Sequence, residues 1–478
     1  MLFNSIAYAF FLPLIFFLYW IVLKRSKTAQ NGLLLVASYV FYGWWDFRFL
    51  FLLIFSTLLD YCSGIMIYQA RSSLKKRIWL FSSVIINVGF LAVFKYYNFF
   101  IESFYDIVQP PGGQVINWTL KIILPVGISF YTFHGLSYVF DIYNRKTVPS
   151  RNFIDYSLFV SFFPLLVAGP IERATHLLPQ ISAKREFDYK SAKDALRQIL
   201  WGLFKKVVIA DNCARIVNEI FKTPEIFKGS TLLYGAVLFA FQIYCDFSGY
   251  SDIALGSARL FGIELIRNFN YPYFSRNVAE FWRRWHISLS TWFRDYIYIP
   301  LGGSRGSRWQ KIRNTLLMFI ISGFWHGANW TFLLWGALNG LLFLPLLLTR
   351  RNKKHATAIV AENRYLPSWS EVFGLLTTFL SITAGWILFR ADTIRLAFSY
   401  YKGIFSKSFI SQPQLFDNLI FKFILILLIV EWIHRDKTHG LQIDYVKWPA
   451  IRWGIYIGLI YLICYFGGTQ QGFIYFQF

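Results

Sequence analysis

The sequence predicts an all-α, polytopic integral membrane helical bundle, and three observations predict it. Apolar runs of about 20 residues, long enough to cross a hydrocarbon core of roughly 30 Å, recur along most of the chain. The composition is 56% hydrophobic and 21% aromatic with only 15% charged residues, too apolar for a soluble protein of 478 residues. Lys and Arg collect between the apolar runs, as expected of cytoplasmic loops. A membrane barrel would instead need repeated short alternating segments.

The run at 5–23 has no basic region before it and Lys24, Arg25 and Lys27 after it. That order is the reverse of a signal peptide, so the run reads as an uncleaved span with its N-terminus outside. Spans at 32–45 and 48–68 lead to a basic loop at Arg71, Lys75, Lys76 and Arg77. The run 78–97 leads out to the turn-rich QPPGGQ at 109–114, and 120–140 leads back to Arg145, Lys146 and Arg151. Pro164, Gly169 and Pro170 then interrupt an apolar run, and 171–210 is mixed. Interfacial or partly re-entrant helices are expected there, lining a shared internal cavity, because broken backbone at depth must be covered by protein or water. A clear span resumes at 231–244, followed by the polar CDFSGYSD of 245–252.

The chain is organised around 268–329. Residues 281–299 are too charged to cross lipid yet rich in Trp and Tyr, which favours a buried or re-entrant segment at the cytoplasmic interface. LGGSRGSRWQKIR, ending at Arg313, is a basic loop. From 314 to 348 the chain must go out and return, because Arg350, Arg351, Lys353 and Lys354 form another basic loop. A turn near His326, Gly327, Ala328 and Asn329 places His326 in the bundle interior. Further spans at 372–389, 419–432 and 451–466 give about 11 crossings with both termini external. The whole chain, 1–478, reads as one domain.

The formal charge is +23, from 48 Lys and Arg against 25 Asp and Glu, a balance that in a soluble protein would suggest nucleic-acid binding. No nucleic-acid module is visible, so the excess marks cytoplasmic loops able to attract an anionic cytosolic donor. Cys62, Cys213, Cys245 and Cys464 are scattered in apolar sequence, suggesting small buried hydrophobes rather than a disulfide framework. No metal-ligand spacing, P-loop, dinucleotide fingerprint or GxSxG elbow is present.

An ionisable side chain at bilayer depth is costly and marks a reaction or transport site. His326 is therefore the first candidate for a general base that takes the proton from an attacking hydroxyl. His286 can orient a donor, share the proton chemistry or simply hydrogen-bond a neighbour, and His134 in SFYTFHGL either lines the same cavity or is structural. Arg283, Arg284 and Arg294 are candidates for donor phosphates, or else topological anchors. Asp246, Asp252 and Glu172 are expected to pair with those arginines.

The segments PVGISFYTFHGLSYVFDIY from Pro125, FFPLLVAGPIER from Phe162, QIYCDFSGYSDIALGSARLFGI from Gln242, NFNYPYFSRNVAEFWRRWHISLSTWFRDYIYIPLGGSR from Asn268 and SGFWHGANWTFLLWGALNG from Ser322 give the chain a resemblance over nearly its whole length. It resembles the membrane-bound O-acyltransferase superfamily, in the bacterial branch with alginate O-acetyltransferase and the D-alanyl transfer protein of teichoic acid modification. The resemblance implies funnels on both faces meeting at the active-site histidines, with His326 catalytic and His286 the second active-site residue. The FIYFQF of 473–478 resembles the family's terminal FxYxxF motif, which implies an acyl-accepting role for Tyr475, with Phe473 and Phe478 seating the tail. An aromatic interface anchor is the other reading of that tail.

The function so implied is transfer of acetyl from cytosolic acetyl-CoA, with no bound cofactor, across the bacterial cytoplasmic membrane to an exported, alginate-like polysaccharide. An exported SGNH-type partner is expected to complete the transfer. The alternatives are D-alanyl transfer from a carrier-protein thioester and, in another class, transport of a lipid-linked glycan. The basic LGGSRGSRWQKIR loop suits either CoA phosphates or an acidic carrier.

Overall fold

The structure is a computed structural model in which residues 1–108, 118–167 and 169–476 are described, so the QPPGGQ turn and Phe478 lie outside it. The described residues form helices and turns and no strand. Six helices are long and apolar enough to cross a membrane: Arg48–Gln69, Ser73–Tyr105, Gly229–Leu260, Trp330–Leu348, Trp369–Arg390 and Pro449–Phe466. Gly229–Leu260 is mostly buried, and the outer faces of the other five carry exposed large apolar residues, a distribution that water would oppose and lipid favours. Cys464 is accordingly exposed on Pro449–Phe466, whereas Cys213 and Cys245 are buried.

The chain forms two compact units, residues 1–192 with 257–266, and residues 193–256 with 267–478. In the first, the apolar run at 5–23 becomes the helix Ile6–Phe17, capped by the Ser5 hydroxyl, and continues as a π-helical turn over Leu18–Val22. Asp60, buried on Arg48–Gln69, accepts hydrogen bonds from Ser83 Oγ at 2.6 Å and Asn87 Nδ2 at 2.9 Å. Such pairing makes a carboxylate tolerable at this depth. The span expected at 120–140 is helical only over Ile128–Tyr143. Pro125 disfavours helix in the residue before it, and Gly127, at φ 73°, takes a left-handed turn in which a Cβ would strike the Leu166 carbonyl. The interrupted run yields the short helices Phe153–Ser161 and Phe163–Leu166, and the mixed region 171–210 yields the short Ala174–Ser182 but then the continuous 15-residue helix Tyr189–Leu203, which the expectation of broken helices does not include.

In the second unit, CDFSGYSD does not interrupt the helix Gly229–Leu260. Its small residues allow a close crossing instead: a Cβ on Gly249 would sit 2.8 Å from the Gly202 carbonyl oxygen, and one on Gly202 would sit 2.6 Å from that of Gly249. Immediately after Gly202 the backbone widens into a π-helical turn over Phe204–Ala210 before continuing as Asp211–Lys222. The segment 314–348 folds as a hairpin of Arg308–His326 and Trp330–Leu348, of which only the second arm is among the six helices long and apolar enough to cross a membrane. A capping box from Ser307 and Gln310 starts the first arm, and the Asn329 side chain accepts the Thr331 N–H at 3.0 Å to start the second. The arms meet through Gly323 and Gly336, each facing backbone of the other arm. Ile394–Ile404 matches no expected span; it is too short to cross and carries Arg395 and Lys402 on an otherwise apolar helix.

Candidate active site

The centre of the second unit is a break between two short helices. Val278–Arg284 ends at Trp285, and Ile287–Phe293 starts after His286, whose φ of 43° is left-handed, a conformation uncommon outside glycine and enriched where function holds the backbone. The extended NFN segment secures this break. The Asn268 carbonyl accepts the Ile287 N–H at 2.9 Å, its side-chain oxygen accepts Ser288 Oγ at 2.6 Å, and the Asn270 N–H donates to the Arg284 carbonyl at 2.9 Å. The imidazole of His286 is thereby held inside the unit, 1% exposed, and neither ring nitrogen has a hydrogen-bond partner in another described residue. An orphaned pair of ring nitrogens in a dry interior is costly unless something else uses them.

His326 reaches the same place from the end of the Arg308–His326 arm. Its ring packs on Trp335 at 5.2 Å and Phe389 at 5.3 Å between centroids. Tyr475 lies between the histidines, its ring centroid 5.6 Å from that of His326 and 6.5 Å from that of His286. Phe247 touches both Tyr475, at 4.8 Å, and His286, at 4.7 Å.

Both histidines line a cavity of about 610 Å³. Its apolar wall includes Trp282, Trp285, Phe319 and Phe343, and its cations are Arg283, Arg294, Lys311, Arg350 and Lys353, with no Asp or Glu among the described lining residues. Arg283 donates to the Asn352 carbonyl at 2.6 Å and the Lys354 carbonyl at 3.2 Å, leaving its Nε buried without a partner among the described residues. Trp282 Nε1 is a second such donor. The cavity thus joins an anion-attracting lining to an imidazole pair, an arrangement suited to an acyl donor bearing phosphates.

The chain matches the model of the MBOAT, membrane-bound O-acyltransferase family over residues 34–368. It belongs to that family. The acyltransferase is 41% identical to the probable alginate O-acetylase AlgI of Pseudomonas aeruginosa, over 85% of this chain and 75% of that protein. It is 33% identical to the peptidoglycan O-acetyltransferase of Helicobacter pylori, over 100% of this chain and 98% of that one. The teichoic acid D-alanyltransferase of Bacillus subtilis is 28% identical over 56% of this chain and 69% of its own length. The relatives and the apolar helices support an integral membrane O-acetyltransferase.

Within this acyltransferase His286, His326 and Tyr475 come together, and Arg283 and Arg294 line the cavity beside them. Arg284 is not among the lining residues. Its guanidinium donates to Glu280 Oε1 at 2.9 Å and to the carbonyls of Asn270 and Ala358, and Arg276 pairs with the same carboxylate, so it ties the helix break to neighbouring loops. His134 belongs to the other unit, where it is buried against Phe159. The acidic residues do not take the arginine partners expected of them. Asp252 pairs with Lys205 at 2.6 Å and Asp246 with Lys206 at 2.7 Å, because one helical stretch presents both lysines to Gly229–Leu260. Glu172 accepts the Ile266 N–H and pairs with His176, holding that imidazole above its ordinary value. Lys311, Arg350 and Lys353 read in the sequence only as loop charge, and nothing in their spacing indicates that they share one cavity.

Proposed function

We propose that this acyltransferase takes an acetyl group from cytosolic acetyl-CoA and passes it across the cytoplasmic membrane for O-acetylation of an exported or cell-surface polysaccharide. The observation that carries the reading is Tyr475 in ring contact with both His286 and His326, the two histidines themselves lining a cavity whose charged lining is wholly basic among the described residues. In the proposed step His326 takes the phenol proton, the phenolate oxygen attacks the thioester carbonyl, the C–S bond breaks, and the proton passes to the departing thiolate. His286 holds the donor carbonyl or shares the proton, and Arg283 and Arg294 meet phosphate. The product is an aryl ester on Tyr475, a more reactive ester than an alkyl one because a phenol of pKa near 10 is the better leaving group. Onward transfer to a serine or sugar hydroxyl is therefore downhill.

The alginate O-acetylase and peptidoglycan O-acetyltransferase relatives support a polysaccharide acceptor. The reading includes an exported SGNH-type partner that carries the acyl group onward, about 11 crossings, and both termini on the extracytoplasmic side. In proteoliposomes, labelled acetyl-CoA should label a C-terminal peptide containing Tyr475 when partner and acceptor are absent. Tyr475→Phe should insert normally and abolish that label. D-alanyl transfer predicts labelling only from an aminoacyl carrier thioester, and a glycan transporter predicts glycolipid movement with no label at all.

A further inference from the structure

The segment that delivers Tyr475 is held by a buried ionic cluster that the chemistry above does not use. Lys206 Nζ lies 2.7 Å from Asp211 Oδ1 and 2.7 Å from Asp246 Oδ1, and all three residues are at most 3% exposed. Two carboxyl groups share one ammonium, so buried carboxyl oxygens are left over that need further donors. The C-terminal segment supplies one: the Ile474 N–H donates to Asp246 Oδ2 at 2.7 Å, and the Gln471 carbonyl accepts from Lys206 Nζ at 3.2 Å. Upstream, Gly468 N–H donates to the Val207 carbonyl at 3.1 Å, and the Phe466 carbonyl accepts from Asn212 Nδ2 at 2.8 Å.

Register follows from these contacts. Asp246 fixes Ile474, and the residues next to each, Phe247 and Tyr475, meet with their ring centroids 4.8 Å apart and the rings tilted by 59°. Phe473 packs on Tyr250 at 4.7 Å and is fully buried. A one-residue slip would put Ile474 or Phe476 where the phenol stands. Lys206 lies in the π-helical turn over Phe204–Ala210, and such bulges recur at functional positions.

We propose that Asp246 and Lys206, braced by Asp211, form a latch that seats the C-terminal segment in the one register that presents Tyr475 to His326, making them positioning residues for the acyl-accepting step. The proposal rests on the relay reading above for its chemistry, although the latch itself concerns docking alone. With the segment withdrawn, Asp246 loses its backbone donor, so the docked state is favoured until an acceptor or partner competes for the segment.

The test uses the full-length protein in nanodiscs. Asp246→Leu removes the acceptor while leaving Lys206 and Asp211 a balanced pair, and Asp246→Asn keeps an acceptor of the same shape. Hydrogen exchange of the peptide covering 468–475 reads docking without reference to chemistry. Asp246→Leu should cost that peptide about 10- to 100-fold in protection, the worth of a hydrogen bond to a charged group, and Asp246→Asn should restore most of it. Acetylation of Tyr475 should fall in parallel, with the Michaelis constant for acetyl-CoA unchanged. Unaltered protection and acetylation in a folded Asp246→Leu protein would overturn the latch, and so would a loss that Asp246→Asn does not rescue. Should Asp246→Leu fail to fold, Lys206→Met takes its place: loss of protection and of acetylation together supports the latch, and wild-type values of both overturn it. A wild-type protein with a protected segment and no acetyl-tyrosine would sink the relay and leave the latch standing.

Discussion

One methyl group at Gly323 tests whether the two imidazoles must stand at a fixed separation. Gly323 lies one turn before His326 on the same arm of the hairpin, and a Cβ there would fall well inside contact with the Phe332 carbonyl oxygen of the other arm. The obstacle is backbone, so no rotamer relieves it. Restoring ordinary contact means separating the arms by about 1 Å, and a displacement of that size at a reacting group costs up to about 100-fold in rate. The same overpacking costs about 1 to 3 kcal/mol of stability, small beside the roughly 5 to 15 kcal/mol that keeps a domain folded. Gly323→Ala should therefore insert and remain folded, lose about 100-fold in kcat for Tyr475 acetylation, and keep the Michaelis constant for acetyl-CoA within about threefold. The control is Gly454→Ala on Pro449–Phe466, where a Cβ meets nothing within 4 Å and turnover should not change. Wild-type kcat in folded Gly323→Ala would refute the claim that the hairpin contact sets the position of His326.

His326→Gln should lower acetyl transfer about 100- to 10,000-fold with insertion and melting unchanged, and turnover near the wild-type value would remove it from the mechanism. His286→Gln should weaken the same reaction less, read in the same assay. Arg283→Gln should raise the apparent Michaelis constant for acetyl-CoA about tenfold or more, because it deletes a charged donor facing the cavity. Arg284→Gln should instead lower the yield and melting temperature of the protein, since it removes one of the cations on buried Glu280, and a changed Michaelis constant with normal melting would contradict its structural assignment.

How much was legible in the sequence divides along physical lines. Apolar runs bounded by Lys and Arg marked the helices Ile6–Phe17, Arg48–Gln69 and Ser73–Tyr105 and the turn at His326, because length and charge placement are local properties, whereas the helix expected at 120–140 starts only at Ile128. The GxxxG spacings at Gly323 and Gly327, and again at Gly336 and Gly340, are a sequence signal for close packing of the arms that the apolar pattern alone obscures. The helix break at His286 showed only as a polar, aromatic stretch, since a left-handed histidine has no signature of its own. The partners of Asp246 and Asp252 were missed for another reason. Arginine stood nearer in sequence, but Lys205 and Lys206 stand nearer in space, and a pairing between residues so far apart along the chain depends on how helices cross. Arg284 illustrates the same limit, its neighbour Arg283 lining the cavity while its own guanidinium is bound to Glu280.

That the charged residues lining the cavity are all basic among the described ones has a consequence for how the proposed reaction stops. If the proposed donor is acetyl-CoA, a basic surface would grip its phosphates equally before and after the thioester is cleaved, so that part of the affinity would lower the energy of donor and spent carrier alike and contribute nothing to the barrier. Free CoA should then compete with acetyl-CoA at comparable concentration, escape of the thiol should limit the cycle, and added salt should weaken both ligands together. On the proposed reading the rate of acetyl transfer would follow the ratio of acetylated to free CoA rather than the total pool, and the modification would then track the cell's carbon supply.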